Sequence, residues 1–372
     1  VPVVFQNTTA DTPVIEHAYG ITYSDYLRID DTMLSHAVLW SDWAHDLGFL
    51  ASIYGKHNKM KHLSTANPHL YNAGDVVDTI AVWETIKGEL NADPRTREVY
   101  ETQSLRLIPV ILKARSVGLR VNQDRVAAAT VKYNERLEWA KSFAHAYTGW
   151  PINIGSDEQL KRVLYDIEGL PLQVVKDDKT KSTINADAVA TLRQFVGPPY
   201  DPEQEEKEGL SLERAIQRVD EGAHPLLEAR VIYAGAQQIL SHYLAPCQGH
   251  ERIYPQFAIH AQASGRWSTT DPPMAQLPND LRDIVYPDEG EKWIEWDWDQ
   301  IELRILAELA NDEPYRDAFT KGYDIHTLNV CAIFGLPQPF NKVDPHTARD
   351  NRAWRDAVSW GGKDDIRRLF AK

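Results

Sequence analysis

The residues best suited to chemistry lie between positions 293 and 335, in a stretch that begins Trp-Ile-Glu-Trp-Asp297-Trp-Asp-Gln-Ile-Glu302-Leu-Arg304. Its first five residues read as a short buried strand, aromatic and β-branched residues running into a carboxylate. The period then changes. Ile301, Ile305, Leu306 and Leu309 recur at helical spacing, Glu302, Arg304 and Glu308 fall on other faces, and Asn311-Asp312 closes the helix. Asp297 is therefore predicted where a strand hands over to a helix. From there a carboxylate can face a cleft and hold a metal ion; helix capping is the competing use of the same residue. Near the end of the chain, Arg368 and Lys372 stand four apart and would share one helix face, which suits a polyanion or simply solvent.

The longer string is more specific. Asp297-Trp-Asp-Gln-Ile-Glu-Leu-Arg304 is followed by Asp312, Ala318-Phe319, Gly322, Asp324-Ile-His326 and Phe334-Gly335. This closely resembles motif A and its downstream segment in family A DNA polymerases, where the pattern is Asp-Tyr-Ser-Gln-Ile-Glu-Leu-Arg, then Ala-Phe, Gly, Asp-Ile-His and Phe-Gly. Trp298 replaces the usual Tyr and Asp299 the usual Ser. A second match precedes it: Gly265-Arg-Trp-Ser-Thr-Thr-Asp-Pro-Pro-Met-Ala-Gln-Leu-Pro278 resembles the family's Gly-Arg-Leu-Ser-Ser-x-Asp-Pro-Asn-Leu-Gln-Asn-hydrophobic-Pro, with Ala275-Gln276 where the family has Gln-Asn.

The resemblance implies a DNA-directed DNA polymerase that transfers a nucleotide to a primer 3′-hydroxyl with two Mg²⁺ ions. By it, Asp297 bridges both ions and the Trp298 carbonyl adds a ligand. Gln300, Ile301 and Glu302 lie at the incoming nucleotide, with Glu302 beneath the sugar excluding a 2′-hydroxyl. Arg368 and Lys372 neutralise charge on the leaving pyrophosphate. Arg266 reaches the primer side of the duplex in the minor groove, whose acceptors report pairing geometry rather than sequence; Thr269, Gln276 and Arg304 complete the implied DNA contacts. The family's second carboxylate belongs to a His-Asp-Glu motif that does not occur after motif A here. The implied partners are primer-template DNA, deoxynucleoside triphosphates and the remainder of a polymerase, in the same or a second chain, and this chain alone is expected to be inactive. The alternative is a non-catalytic DNA-binding or interaction protein derived from the same scaffold.

Residues 1–98 read as part of an α/β domain: a strand at Val3-Val4-Phe5, then Gln6-Asn7 and Asp11, Asp31-Thr-Met-Leu34, and Tyr71-Asn-Ala-Gly-Asp75 entering a helix with Val76, Ile80 and Trp83 on one side. Each small motif alone is a turn or a helix face. In this order they resemble the second and third motifs of the 3′–5′ proofreading exonuclease attached to family A polymerases. The resemblance makes Asp11 and Asp75 metal-associated, places Asn7 in the same motif as Asp11, and gives Tyr71 the positioning of water. The first motif, an Asp-x-Glu on an earlier strand, is missing ahead of these, so negligible exonuclease activity is expected.

The elements between these motifs are helical. Tyr133, Leu137, Ala140, Ala144 and Tyr147 form a narrow apolar seam within 124–149, stopped by Gly149 and Pro151, and a plain packing helix is the reading preferred. Asn153-Ile-Gly-Ser156, Gln159-Leu160 and Ser182-Thr183 resemble the family's thumb, where such a turn caps a helix. Lys176, Lys179 and Lys181 beside it are phosphate contacts or a solvated loop. Ile253-Tyr-Pro-Gln-Phe-Ala-Ile-His260 alternates as a strand, 315–334 is helical with a break at Gly322, and 336–350 connects. The expected architecture is α+β / α/β multidomain: an incomplete RNase H-like exonuclease domain at 1–98, a helical thumb with the start of the palm at 99–250, palm with motif A at 251–310 and the start of fingers at 311–372.

Composition agrees with a globular, non-membrane protein. Of 372 residues 43% are hydrophobic and 25% charged, and no apolar run approaches the roughly 18 residues that span a bilayer. A cytoplasmic setting, in a bacterium or a phage-infected host, is expected. Cys247 and Cys331 lack ligand spacing, which predicts reduced thiols and no zinc site. The net charge of −14 lowers the expectation of nucleic-acid binding without excluding it, because metal-dependent phosphoryl transfer needs carboxylates and Asp201-Pro-Glu-Gln-Glu-Glu-Lys-Glu208 supplies part of the excess. Val1 is not a start methionine and Arg367-Arg-Leu-Phe-Ala-Lys372 opens a helix, so a fragment is expected.

Overall fold

A computed structural model of the chain describes residues 2–55, 61–176, 178–197, 211–295, 297–298, 300–321 and 325–336. It divides into two compact units, 1–292 and 293–372. Helices dominate both, and the strands are short.

Among its described residues, the first unit is built on three apolar cores. In the N-terminal one, β1 (Pro2–Phe5) pairs in parallel with β2 (Arg28–Asp31) across the Thr8–Tyr19 helix, as an α/β start predicts. Asp31 then caps the Thr32–Leu39 helix by accepting from Leu34 N. The Pro68–Ala92 helix closes this core with Val82, Trp83, Ile86 and Leu90. Val76 and Ile80, expected on one side of this helix with Trp83, are 60% and 51% exposed while Trp83 is buried. The seam is shifted by about one residue because Asp78 and Thr79 face inward at that end of the helix.

The second core belongs to the long Gln123–Thr148 helix, which follows the expected seam closely. Asn122 Oδ1 caps its start at Arg125 N, Gly149 ends it in the left-handed conformation, and Tyr133, Leu137, Ala140 and Ala144 are buried while Tyr147 is not. Helices Ala186–Phe195, Leu212–Asp220 and Pro225–Gln238 pack with its C-terminal half around Leu160, Leu192, Leu227 and Ile232. The third core lies at its N-terminal half, where Val126, Tyr133 and Leu137 meet Tyr243, Leu281 and Ile284. There β3 (Leu119–Val121) sits between β6 (Arg252–Ile253) and β9 (Val285–Tyr286), antiparallel to both. The predicted 253–260 strand is broken into β6 and β7 (Gln256–Ala258). Pro255 between them has no N–H to contribute to a ladder. β7 pairs with β8 (Ser268–Thr270), and β4 (Val174–Val175) with β5 (Asp178–Ser182). Lys176 and Lys181 beside that hairpin are exposed, and Lys181 Nζ lies 3.0 Å from Asp178 Oδ2.

In the second unit, helices Ile301–Leu309, Glu313–Thr320 and Ile325–Phe334 follow one another. The strand expected over 293–297 is not formed among the described residues: 293–295 and Asp297 are irregular and exposed. A strand needs a hydrogen-bonded neighbour, and none of the described strands pairs with this segment. Gly322, Asp324 and residues 337–350 lie outside the described residues, as do Asp201–Glu208 and residues 367–372. No described helix is long and apolar enough to cross a membrane. Both cysteines are buried and outside any disulfide, and burial pushes the Cys247 thiol up to about 11.

Burial also creates an acid-sensitive point in the N-terminal core. His36 is fully buried, its Nδ1 2.8 Å from His45 Nδ1 among the rings of Trp43, Phe49 and Tyr54, and His260 lies edge-on to His45. Burial, then the neighbouring His45, lowers His36 to about 4; His45 and His260 are lowered as well. The unfolded chain takes up protons near pH 6.5, whereas the fold resists them until about pH 4. The stability is therefore complete above pH 6.5 and lost as pH falls through that window, with His36 alone accounting for about 3 kcal/mol. Urea unfolding at stepped pH should show this loss in the wild type, and His36→Phe should flatten it between pH 6.5 and 4. Parallel curves for the two proteins would refute the assignment.

Candidate active site and nucleic-acid interface

The predicted site residues fall in both units, and each group is described within its own. In the first unit, residues 265–278 form an exposed loop. Gly265 has φ +73°, a left-handed conformation that a side chain disfavours, and it places Arg266 on an exposed turn. Thr269 is buried within β8, and its Oγ1 accepts from Ala275 N at 2.6 Å. Gln276 has an exposed side chain, while its carbonyl accepts from Tyr243 Oη at 3.0 Å. Of the DNA contacts implied here, Arg266 and Gln276 are thus accessible. Thr269 is instead an internal brace.

In the second unit, Asp297 and Trp298 are exposed just ahead of the Ile301–Leu309 helix. Gln300 makes the junction in the left-handed region (φ 52°, ψ 40°), strained for a residue with a side chain, and its buried Oε1 has no hydrogen-bond partner among the described residues. The turn lets the chain enter the helix with Ile301 and Glu302 on its exposed first turn. Arg304 lies with its guanidinium 4.5 Å from the Phe319 ring centre, tying the first helix of this unit to the second. Tyr315 Oη donates to Asn329 Oδ1 at 2.7 Å and links the second to the third. Asp299, Arg368 and Lys372 lie outside the described residues.

The Asp297 carboxylate and the Trp298 carbonyl are hard oxygen donors, the ligand type Mg²⁺ takes, and the carboxylate is accessible. They fit that ion by chemistry. Among the described residues, no group of three or more His, Cys, Asp or Glu side chains stands ready to hold a metal.

The exonuclease-like residues are placed in two pairs. Asn7 precedes the Thr8–Tyr19 helix, accepting from Thr9 Oγ1 at 2.9 Å, and Asp11 lies in its first turn. Asp11 is raised above the usual carboxylate range by desolvation and by the nearby Asp31 charge. Tyr71 and Asp75, one turn apart in the Pro68–Ala92 helix, hydrogen-bond to each other; desolvation and then the Asp75 charge raise the Tyr71 phenol. Asp31 was only a landmark in the sequence. Its buried carboxylate accepts from Thr8 N and Thr8 Oγ1, both at 2.7 Å, and its backbone N–H donates to Tyr100 Oη. The Asp-Thr step at a strand-to-helix junction signals the cap, but nothing local signals the burial.

Against known sequences, the DNA polymerase family A profile matches residues 123–354, more than half of the chain. The chain belongs to DNA polymerase family A. The thermostable DNA polymerase I of Thermus aquaticus is 27% identical over 286 residues, which cover 74% of this family A chain and 31% of that polymerase. DNA polymerase I of Pseudomonas aeruginosa is 25% identical over 352 residues, covering 88% and 35%. The chain thus spans about a third of the length of these relatives. Its fold follows that of a solved structure described as the POL domain of Pol1 from M. smegmatis in complex with DNA primer-template and dNTP. The TM-score is 0.67 at 22% identity, over 97% of this chain and 58% of that one. The family A fold here is a mixed, helix-dominated α+β one.

Proposed function

We propose that this family A chain forms part of a template-directed DNA polymerase that extends a primer 3′-hydroxyl with deoxynucleotides. The observation that carries the reading is Asp297, accessible at the head of a helix that continues as Ile301-Glu302-Leu-Arg304. In this reading residues 1–98 are an exonuclease-like remnant, 99–250 the thumb, 251–310 the palm and 311–372 the start of the fingers. Primer-template DNA and deoxynucleoside triphosphates are the proposed partners, by likeness to the Pol1 structure captured with both.

Asp297 and the Trp298 carbonyl would hold divalent ions, which supply Lewis-acid activation of the attacking hydroxyl and charge neutralisation at the triphosphate. The chain's own residues orient the reactants. Arg266 contacts the primer side of the duplex from its exposed turn, Gln276 adds an amide contact, and Glu302 packs against the sugar. Ile301 and Gln300 flank it, and Arg304 keeps the motif helix seated on Phe319. Arg368 and Lys372 offset the negative charge of the leaving pyrophosphate. Asn7, Asp11, Tyr71 and Asp75 are proposed to contribute no appreciable exonuclease activity, because a site short of the two carboxylates of the first motif should not hold both metal ions.

The test is primer extension by the full-length protein on a primed duplex with each single dNTP. Incorporation that follows the template base is expected, with little removal of a mismatched 3′ end. A protein that binds the duplex and adds no nucleotide would instead be a non-catalytic member of the family.

A further inference from the structure

The loop 265–278 has little internal structure of its own. Its only elements are the three-residue strand β8 and the single turn Met274–Gln276. Yet it carries the arginine proposed to meet the primer side, so something outside it must fix its place. The structure shows contacts at three successive points. Thr269 Oγ1 closes the loop on itself through Ala275 N. Tyr243 Oη holds the Gln276 carbonyl. Directly after the loop, the 3-10 turn Asn279–Ile284 is fastened to the Gln123–Thr148 helix: Tyr133 Oη donates to Asp280 Oδ2 at 2.7 Å, Lys132 Nζ meets the same oxygen at 3.0 Å, and Arg125 Nε lies 3.3 Å from Asp283 Oδ2. Leu281 and Ile284 of the turn are buried against Val126, Tyr133 and Leu137.

The central bond is built to persist. The Tyr133 ring is 1% exposed and flanked by the Arg136 guanidinium, 4.8 Å from its centre. Burial, then the bond to Asp280, raises its phenol well above the ordinary range, so it remains a donor. Burial pushes the Asp280 carboxyl up, but the bonds from Tyr133 and Lys132 outweigh this and hold it low, so it remains an acceptor. The residues concerned are 147 positions apart in sequence and join the long helix to the loop's exit.

We propose that Tyr133, acting through Asp280, and Tyr243, acting through the Gln276 carbonyl, are positioning residues for the 265–278 loop, so that the Gln123–Thr148 helix and the Ile239–Leu244 helical turn together set how tightly a primed duplex is held. The role rests on the reading of this loop as a duplex contact. Neither tyrosine touches substrate. Each fixes backbone that carries the groups that do.

Tyr133→Phe and Tyr243→Phe remove one hydroxyl and keep the ring, which limits any effect on folding. In the full-length protein, each should raise the dissociation constant for a primed duplex about 2–12-fold, the size of one lost hydrogen bond. The rate at saturating duplex should stay within about twofold, and the melting temperature should shift by no more than a few degrees. Amide exchange at Ala275, Leu277 and Leu281 should accelerate in Tyr133→Phe. Combining Tyr133→Phe with Asp280→Asn should weaken binding by less than the product of the two single effects, since both break the same link. Unchanged exchange and unchanged affinity in Tyr133→Phe, with the wild type binding duplex, overturn the positioning role. A wild type with no affinity for primed duplex overturns instead the reading of the loop as a duplex contact, and accelerated exchange in the variant then still reports the clasp.

Discussion

Asp297→Asn in the full-length protein is expected to slow nucleotide addition by on the order of 10³-fold or more while leaving affinity for a primed duplex within about threefold. The change keeps the size of the side chain and removes its charge. Several kcal/mol of transition-state stabilisation rest on a carboxylate that binds a divalent ion, and each 1.36 kcal/mol is a factor of ten in rate. Folding is not at stake, because Asp297 is exposed. Single-turnover extension measured beside duplex titration separates the two quantities. An unchanged rate would show that Asp297 holds no catalytic ion and would favour a non-catalytic role for the scaffold. A loss of both rate and affinity would mean that the residue supports the duplex site rather than the chemistry.

The second large effect concerns stability. Glu228 is 1% exposed, and both its oxygens are used: Arg193 donates Nε to Oε1 at 2.8 Å and Nη2 to Oε2 at 2.7 Å, and Arg218 donates Nε to Oε1 at 3.3 Å. The three residues come from helices Ala186–Phe195, Leu212–Asp220 and Pro225–Gln238, so one carboxylate ties together the helices on either side of residues 198–210. Glu228→Ala would leave two guanidinium groups buried without that carboxylate, and should destabilise this part of the fold by about 3–5 kcal/mol. Urea unfolding with amide exchange over 186–238 reads the loss and locates it. Replacing all three residues with apolar ones of similar size should restore most of the stability, because the charges that need a partner are then gone. If the triple variant is no better than Glu228→Ala, the cost lies in packing and not in the loss of the carboxylate from these buried charges.

Much of this protein was legible because the signal was local. The Gln123–Thr148 helix announces itself by a seam at steps of four and three, with Gly149 to end it. Ser156 was expected to cap a helix, and its Oγ accepts from Gln159 N at 3.4 Å. The family was legible too, because the residues around Asp297 and Arg266 form long ordered strings whose spacing few other proteins share, and the profile match over 123–354 bears that out.

What the sequence left undecided depends on residues far apart in the chain. Trp293-Ile294-Glu295 has strand composition but is irregular, since β structure exists only where a partner strand supplies hydrogen bonds. The phase of the Pro68–Ala92 seam could not be read locally, because Asp78 and Thr79 are polar residues that the N-terminal core nevertheless encloses. Glu228, Arg193 and Arg218 look like three solvated charges on three amphipathic helices until packing closes water out. Tyr133 looks like one more seam residue until Asp280 arrives from 147 positions away. Short-range periodicity and capping specified the helices, and ordered motifs specified the family. Burial decided which charges became structural pairs, because only the folded chain determines where water is excluded and which distant groups meet there.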